Sequence, residues 1–197
     1  MSRSMITSPF GTIGPYFPYD FVEGLEDLTQ CDGNTARGRH ILIGGRVLEE
    51  GSRPTRNTIV EIWQPDAHGI FRHPLDPRCS QADPGFSGWG RARTDAQGNY
   101  RFRTVLPGSY TDADGAPRCP HINVMILGIG LTHRLVTTIF FADEAGTVSD
   151  AVLNCVPEAA RTRLFAVRCP ALDADGLSAY RFDLILRGED ETPFFLD

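Results

Sequence analysis

The chain has 197 residues, 41% of them hydrophobic, and carries a formal charge of −6. All nineteen of its positive side chains are arginines, which excludes Schiff-base lysine chemistry and a phosphate-binding lysine. No basic run tracks a phosphate backbone, and no apolar run is long enough for a membrane-spanning helix, so neither nucleic acid nor membrane is an expected partner.

Fourteen prolines and twenty glycines imply many turns and a β-rich chain rather than a helical bundle. Residues 1–197 read as one domain. Residues 1–39 show no sustained period and are expected to form an extended N-terminal arm. The arm carries Thr12, Gly14, Pro15 and Tyr16, followed by Phe17, Tyr19 and Phe21. Uncovered aromatics of this kind mark a binding surface, unless the arm folds back on its own domain.

Strands are expected at His40 to Leu48, Thr58 to Trp63, Asn99 to Val105, Ile122 to Leu127, Val136 to Phe141 and Ala179 to Leu186. Tyr100, Phe102 and Thr104 alternate with Arg101 and Arg103, the period of a half-buried antiparallel strand. A long loop is expected from Ile70 to Arg91, and long loops in compact folds are usually functional. Within it, His73 reads as a surface histidine, as does His68 just before it. Asp95-Ala96-Gln97-Gly98 has the composition of a hairpin turn. The strand pattern stops between Asp143 and Phe165, where Pro157 to Arg161 can start a short helix. The expected fold is mainly β, an antiparallel β-sandwich with long loops and little helix.

Cys31, Cys79, Cys119, Cys155 and Cys169 include no Cys-x-x-Cys pair, so reduced, mostly buried thiols are expected. The first residues do not read as a signal peptide, and a cytoplasmic location is expected.

One pattern resembles half of a metal site. Tyr110 follows Pro107-Gly108-Ser109, and Pro120-His121-Ile122-Asn123 comes eleven residues later. His-x-His on a strand aims two imidazoles from one face. Here the second position is Asn123. Taken alone, Tyr110 is as consistent with packing as with ligation.

The surrounding motifs are more specific. In order they are Val60-Glu61-Ile62-Trp63-Gln64, Gly69-x-Phe71-Arg72-His73 and Phe86-x-Gly88-x-Gly90-Arg91. Thr94-Asp95-x-x-Gly98-x-Tyr100-x-Phe102-x-Thr104, Pro107-Gly108-x-Tyr110 and Pro120-His121-Ile122 follow. This set resembles the intradiol ring-cleaving dioxygenases, and among them the protocatechuate-cleaving branch built from two homologous chains. The resemblance covers the chain from about Thr12 onward.

The resemblance implies a β-sandwich with a non-haem ferric iron held by two tyrosines and two histidines, hard phenolates suiting Fe(III). It puts one tyrosine ligand at Tyr110 and one histidine at His121. The second histidine falls on Asn123 and the second tyrosine near Arg78 or Cys79. Tyr110, His121, Asn123 and Arg118 are therefore expected to be remnants of a metal site, and no metal is expected in this chain. In that branch the iron belongs to the partner β chain, and the iron-free α chain lends its N-terminal arm to the shared pocket. The implied partners are an iron-bearing β chain in an α–β hetero-oligomer, protocatechuate and O2.

Thr12-Ile13-Gly14-Pro15-Tyr16 matches the pocket-lining stretch of that arm. The arginine that the branch places near Ile129 is missing, and Arg134 is the candidate replacement; its plain reading is an exposed strand-end charge. Arg118 is expected to pair with Asp112 or Asp114. Thr192-Pro193-Phe194-Phe195 is expected to serve the same interface. The competing expectations are an intradiol dioxygenase that works alone with substituted ligands, and a transthyretin-like sandwich that binds small aromatic ligands without catalysis.

Overall fold

The computed structural model describes residues 17–128, 130–143 and 150–195. Fourteen strands appear among them. The longer ones are β3 (His40–Glu49), β5 (Ile59–Trp63), β6 (Trp89–Arg93), β7 (Asn99–Val105), β10 (His121–Leu127), β11 (Leu135–Phe141), β12 (Phe165–Arg168) and β13 (Ser178–Arg181). The two-residue strands are β1 (Gln30–Cys31), β2 (Asn34–Thr35), β4 (Arg53–Pro54), β8 (Tyr110–Thr111), β9 (Pro117–Arg118) and β14 (Leu184–Ile185). Helix is confined to α1 (Ala151–Asn154), α2 (Glu158–Arg161) and a few 3-10 turns.

The main ladder runs β14-β3-β13-β12-β11-β10-β5-β6, with β7 and β4 also paired to β3. It curls, so that Ile41, Ile43 and Phe102 from one end share a core with Val60, Ile62, Val124 and Ile139 from the other. The ladder is continuous because β12 pairs parallel with β11 and antiparallel with β13. Parallel pairings also join β3 to β13 and to β14, so the sheet is mixed where antiparallel pairing was expected.

The Asp95–Gly98 turn forms, with Gly98 at φ 78. It does not close a hairpin. β6 pairs with β5 and β7 with β3, so the turn carries the chain from one end of the ladder to the other. The loop expected to reach Arg91 stops earlier, because Trp89 to Arg93 form β6. Gly90 on that strand lies where a Cβ would stand 2.5 Å from the Leu25 carbonyl oxygen, so an inward position that usually carries a large apolar side chain must be empty.

The described part of the stretch expected as an arm, from residue 17, is tied to the sheet. Leu28 is fully buried and Ala36 nearly so. The Arg91 amide donates to the Leu25 carbonyl (3.1 Å), and the Arg103 amide donates to that of Glu26 (2.8 Å). The tail is seated too. The Phe195 amide donates to the Val136 carbonyl (2.8 Å), and Thr137 Oγ1 donates to the Pro193 carbonyl (2.7 Å). Phe194 and Phe195, partly buried, pack on this chain's own sheet. All five cysteines are free thiols, but Cys119 alone is buried, while Cys79 and Cys155 are exposed.

Candidate functional site

After Trp63 the chain leaves the sheet and returns at Trp89. The carboxylate of Asp66 organises this excursion. It is 2% exposed and accepts from the amides of His68 (2.8 Å), Ile70 (3.0 Å) and Asp83 (2.9 Å), tying both ends of the loop together. Gly69 sits at φ 73, and a Cβ there would lie 2.1 Å from the Ser109 carbonyl oxygen. Only glycine lets the loop approach the strand that carries Tyr110 this closely.

The approach creates a cleft of ≈ 540 Å³ lined by Trp63, Phe71, His73, Asp76, Arg78 and Tyr110, among others. Trp63 stacks on Phe71 with ring centroids 5.7 Å apart, and Phe71 meets Tyr110 edge-on at 5.1 Å. His73 and His68 are exposed, and His73 leans its edge on Trp63. The loop thus brings Arg78 and Tyr110 into one cleft. Arg78 Nη2 donates to the Gly69 carbonyl at 2.6 Å.

Behind Tyr110 lies a buried polar cluster. Tyr110 and Arg118 face each other across the β8–β9 pair, and His121 opens β10. His121 Nδ1 is 2.6 Å from the Cys119 carbonyl oxygen. A carbonyl can only accept, so Nδ1 carries the proton and Nε2 presents its lone pair. That lone pair faces Arg118 Nη2 at 3.3 Å and the Tyr110 hydroxyl at 3.4 Å. Burial first, and the Arg118 charge second, push the His121 pKa down to about 4. Burial also pushes the Tyr110 phenol up, against the pull of Arg118.

Arg118 pairs with Asp150 and not with Asp112 or Asp114. Its Nε donates to Asp150 Oδ2 at 2.9 Å, and the Asp150 side chain is fully buried. Asp112 is occupied in its own turn, where it accepts from the amides of Asp114 and Ala116. Asp150 also accepts from the amides of Cys119, Val152 and Leu153, the last two at the start of α1. Burial alone would raise its carboxyl, but Arg118 and these amides outweigh that and hold it below the usual carboxylate range.

Asn123 lies two residues after His121 on β10, on the less buried face of that strand. Its Oδ1 accepts from Thr138 Oγ1 at 3.2 Å, its register partner on β11. A ferric iron with two phenolates and two imidazoles does not fit these residues. One of each converges, the imidazole lone pair is already taken by a guanidinium, and a second guanidinium lines the cleft. Among the described residues no three His, Cys, Asp or Glu side chains converge to hold a cation either.

Thr12, Gly14, Pro15, Tyr16 and Ile129 lie outside the described residues. The root of the arm does not. Arg93 Nη2 donates to the carbonyls of Phe17 (2.8 Å) and Pro18 (2.9 Å), Phe17 stacks on Phe21 at 5.6 Å, and the Arg91 guanidinium sits 3.9 Å over the Phe21 ring. Arg93 pairs in register with Ile59, and Ile59 with Leu127. The arm root is therefore about two strand spacings, roughly 10 Å, from the end of β10 that leads to exposed Arg134. His121 is at the other end of β10, about 20 Å away along the strand. Sequence spacing gave no sign that the arm root and His121 lie at opposite ends of the sheet.

Comparison with known proteins agrees with the fold. The profile described as "Dioxygenase" matches residues 13–188. The chain is 38% identical to the protocatechuate 3,4-dioxygenase beta chain of Burkholderia cepacia over 187 residues, covering 89% of this chain and 80% of that one. It is 36% identical to the alpha chain of the Pseudomonas putida enzyme over 163 residues, covering 81% and 77%. Among solved structures, it resembles the dioxygenase domain of a carbohydrate-binding fusion protein from Streptomyces sp. SirexAA-E. That likeness has a TM-score of 0.62 and 24% identity over 90% of this chain and 96% of that one. The chain belongs to the intradiol ring-cleaving dioxygenase family.

Proposed function

We propose that the chain is the iron-free α subunit of a protocatechuate-cleaving intradiol dioxygenase, a single-domain cytoplasmic protein paired with a homologous iron-bearing β chain. The observation that carries this reading is that one phenol and one imidazole converge, the Tyr110 hydroxyl 3.4 Å from His121 Nε2, where two of each are needed. Asn123, bonded to Thr138, supplies no second imidazole. Identity does not separate the two subunit types, since the β-chain relative is as similar as the α-chain one. The ligand set supports the α reading, since two of the four donors have no counterpart among the residues that converge there.

The partner's ferric iron would polarise the bound catecholate toward O2, with both oxygen atoms entering the product, 3-carboxy-cis,cis-muconate. This chain's part is to bind and orient. The arm's Tyr16 ring and the Gly14 backbone offer a flat wall and close approach to an aromatic substrate. Arg134 supplies the cation that can take its carboxylate. The arm root and the Arg134 loop lie at one end of the sheet, away from Tyr110 and His121. This supports a pocket built outward, onto another chain, rather than inward onto this chain's own remnant site.

The test is co-expression with the homologous chain, followed by Tyr16→Ala in this one. The expected result is an iron-loaded complex whose kcat/KM falls at least tenfold in the variant while its iron content holds. Full activity and stoichiometric iron in this chain alone would refute the reading.

A further inference from the structure

The outer face of the sheet carries a second cleft, of ≈ 520 Å³, over β3, β7 and β13. It shares no residue with the cleft beside Tyr110. Among the described residues, Arg46, Arg101 and Arg181 line it and no acidic side chain does, in a chain whose formal charge is −6.

The strand register places these arginines. Gly44 on β3 pairs with Arg101 on β7 and with Arg181 on β13. Arg46 lies two residues beyond Gly44 and opposite Asn99, which makes it the diagonal neighbour of Arg101, roughly 7–8 Å away. Gly44 leaves the floor between the charges bare, because a Cβ there would stand 2.6 Å from the Tyr100 carbonyl oxygen. Like charges set as neighbours on one sheet face repel, and an anion held between them relieves that cost.

The three guanidiniums are not equally committed. Asp183 holds Arg181, whose Nε is 3.1 Å from both carboxylate oxygens. Arg46 donates through Nε to the Gln97 carbonyl at 3.0 Å, which leaves its two terminal nitrogens. Arg101 is exposed, and its side chain makes no hydrogen bond or ion pair with the described residues. Leu172, in the 3-10 turn packed on β13 and 59% exposed, adds an apolar surface at the far side of the cleft.

We propose that this cleft binds a small organic dianion, its negative charges held by Arg46 and Arg101 and its carbon body lying over Gly44 toward Leu172. A dicarboxylate and a phosphomonoester share this chemistry, since a planar guanidinium fork takes either bidentately. The inference needs neither iron nor a partner chain.

Isothermal titration calorimetry on the full chain at fixed ionic strength tests it. Succinate and glycerol 3-phosphate are the two dianions, and butyrate is the monoanion of matching length. Saturation by at least one dianion with a dissociation constant below about 1 mM is expected, with butyrate at least tenfold weaker. The tighter of the two dianions names the source. Arg101→Gln and Arg46→Gln should each weaken that dianion at least fivefold, whereas Arg53→Gln, which removes an exposed charge from β4, should change it less than twofold. No saturation, butyrate binding as tightly as either dianion, or the same loss in all three variants overturns the proposal. Binding of poly-glutamate with neither small dianion would assign the face to an acidic partner chain, and would overturn it as well.

Discussion

The guanidinium of Arg118 reaches His121 Nε2 across 3.3 Å, and its other edge is fixed by the buried carboxylate of Asp150 at 2.9 Å. The imidazole is held neutral first by its burial and second by this guanidinium charge. Below the Tyr110 ring lies a polar cluster whose hydrogen bonds close among its own members, where a ligand set would leave lone pairs pointing at a common centre.

This makes stability depend on pH in a defined window. His121 has a folded pKa of about 4, below its ordinary value of 6.5. Above pH 6.5 both folded and unfolded chains carry it neutral, and its contribution is complete. As the pH falls from 6.5 to 4 the unfolded chain takes up the proton and the folded chain does not, so stability drops, by up to ~3 kcal/mol. Urea denaturation at pH 7 and pH 4.5 should show the drop in the native sequence and a smaller one in His121→Asn. Equal slopes in the two would mean that another group governs the window.

Asp150 holds a buried cation and starts α1. Asp150→Ala should cost ~3–5 kcal/mol, since it leaves Arg118 buried without its counter-charge and frees the first amides of the helix. Asp150→Asn keeps an acceptor for Val152 and Leu153, and should cost less. If the double variant Arg118→Met/Asp150→Leu recovers most of the loss, the penalty lies in the stranded charge rather than in the helix start.

Much of the fold was legible in the residues, and the reasons differ by strand. β7 matches its expected bounds because Tyr100, Phe102 and Thr104 point inward and the arginines between them do not. β3, β5, β10 and β11 have similarly apolar runs. β6 was hidden, since close backbone approach demands Gly90 and leaves no large apolar residue to show a period. The Arg118–Asp150 pair joins residues 32 apart, and nothing local to either announces it. Tyr110 and His121 were legible as a pair, but the role of Asp66 in shaping the loop beside them was not, because its hydrogen bonds go to backbone amides that any sequence supplies.

The loop's approach to Tyr110 depends on Gly69. Gly69→Ala would force a Cβ into the Ser109 carbonyl from a backbone angle that L side chains rarely adopt. A cost of more than about 2 kcal/mol is expected, with loss of the Arg78–Gly69 contact. Thermal denaturation of the variant beside the native sequence would measure the cost. A native-like melting temperature would show that the loop can move aside.

Arg93 fixes the arm root through two carbonyls. Arg93→Ala should leave the fold of residues 22 onward intact and expose the peptide bonds around Phe17 and Phe21 to protease. Chymotrypsin digestion followed by mass spectrometry should show cleavage there at least tenfold faster than in the native sequence. If the proposed α–β pocket is right, the same change in the co-expressed complex should raise KM more than it lowers kcat, because it loosens the root of the arm proposed to line the substrate. Unchanged cleavage would place the anchor in the Phe21–Arg91 stack.

Restoring the missing imidazole tests whether the remnant site is one substitution from function. Asn123→His places a second imidazole two residues from His121, as a His-x-His strand would. Iron should still not bind. Nε2 of His121 has one lone pair, and Arg118 occupies it; the phenol of Tyr110 is held protonated by burial. The place of the second phenolate falls near Arg78 or Cys79, and a guanidinium beside it opposes Fe(III). The variant chain, refolded or incubated with ferric iron, is expected to stay colourless in the visible range, where tyrosinate-to-iron charge transfer absorbs. A coloured chain with one iron per molecule would show that Asn123 alone had closed the site, and that the guanidinium of Arg118 yields its place to a metal.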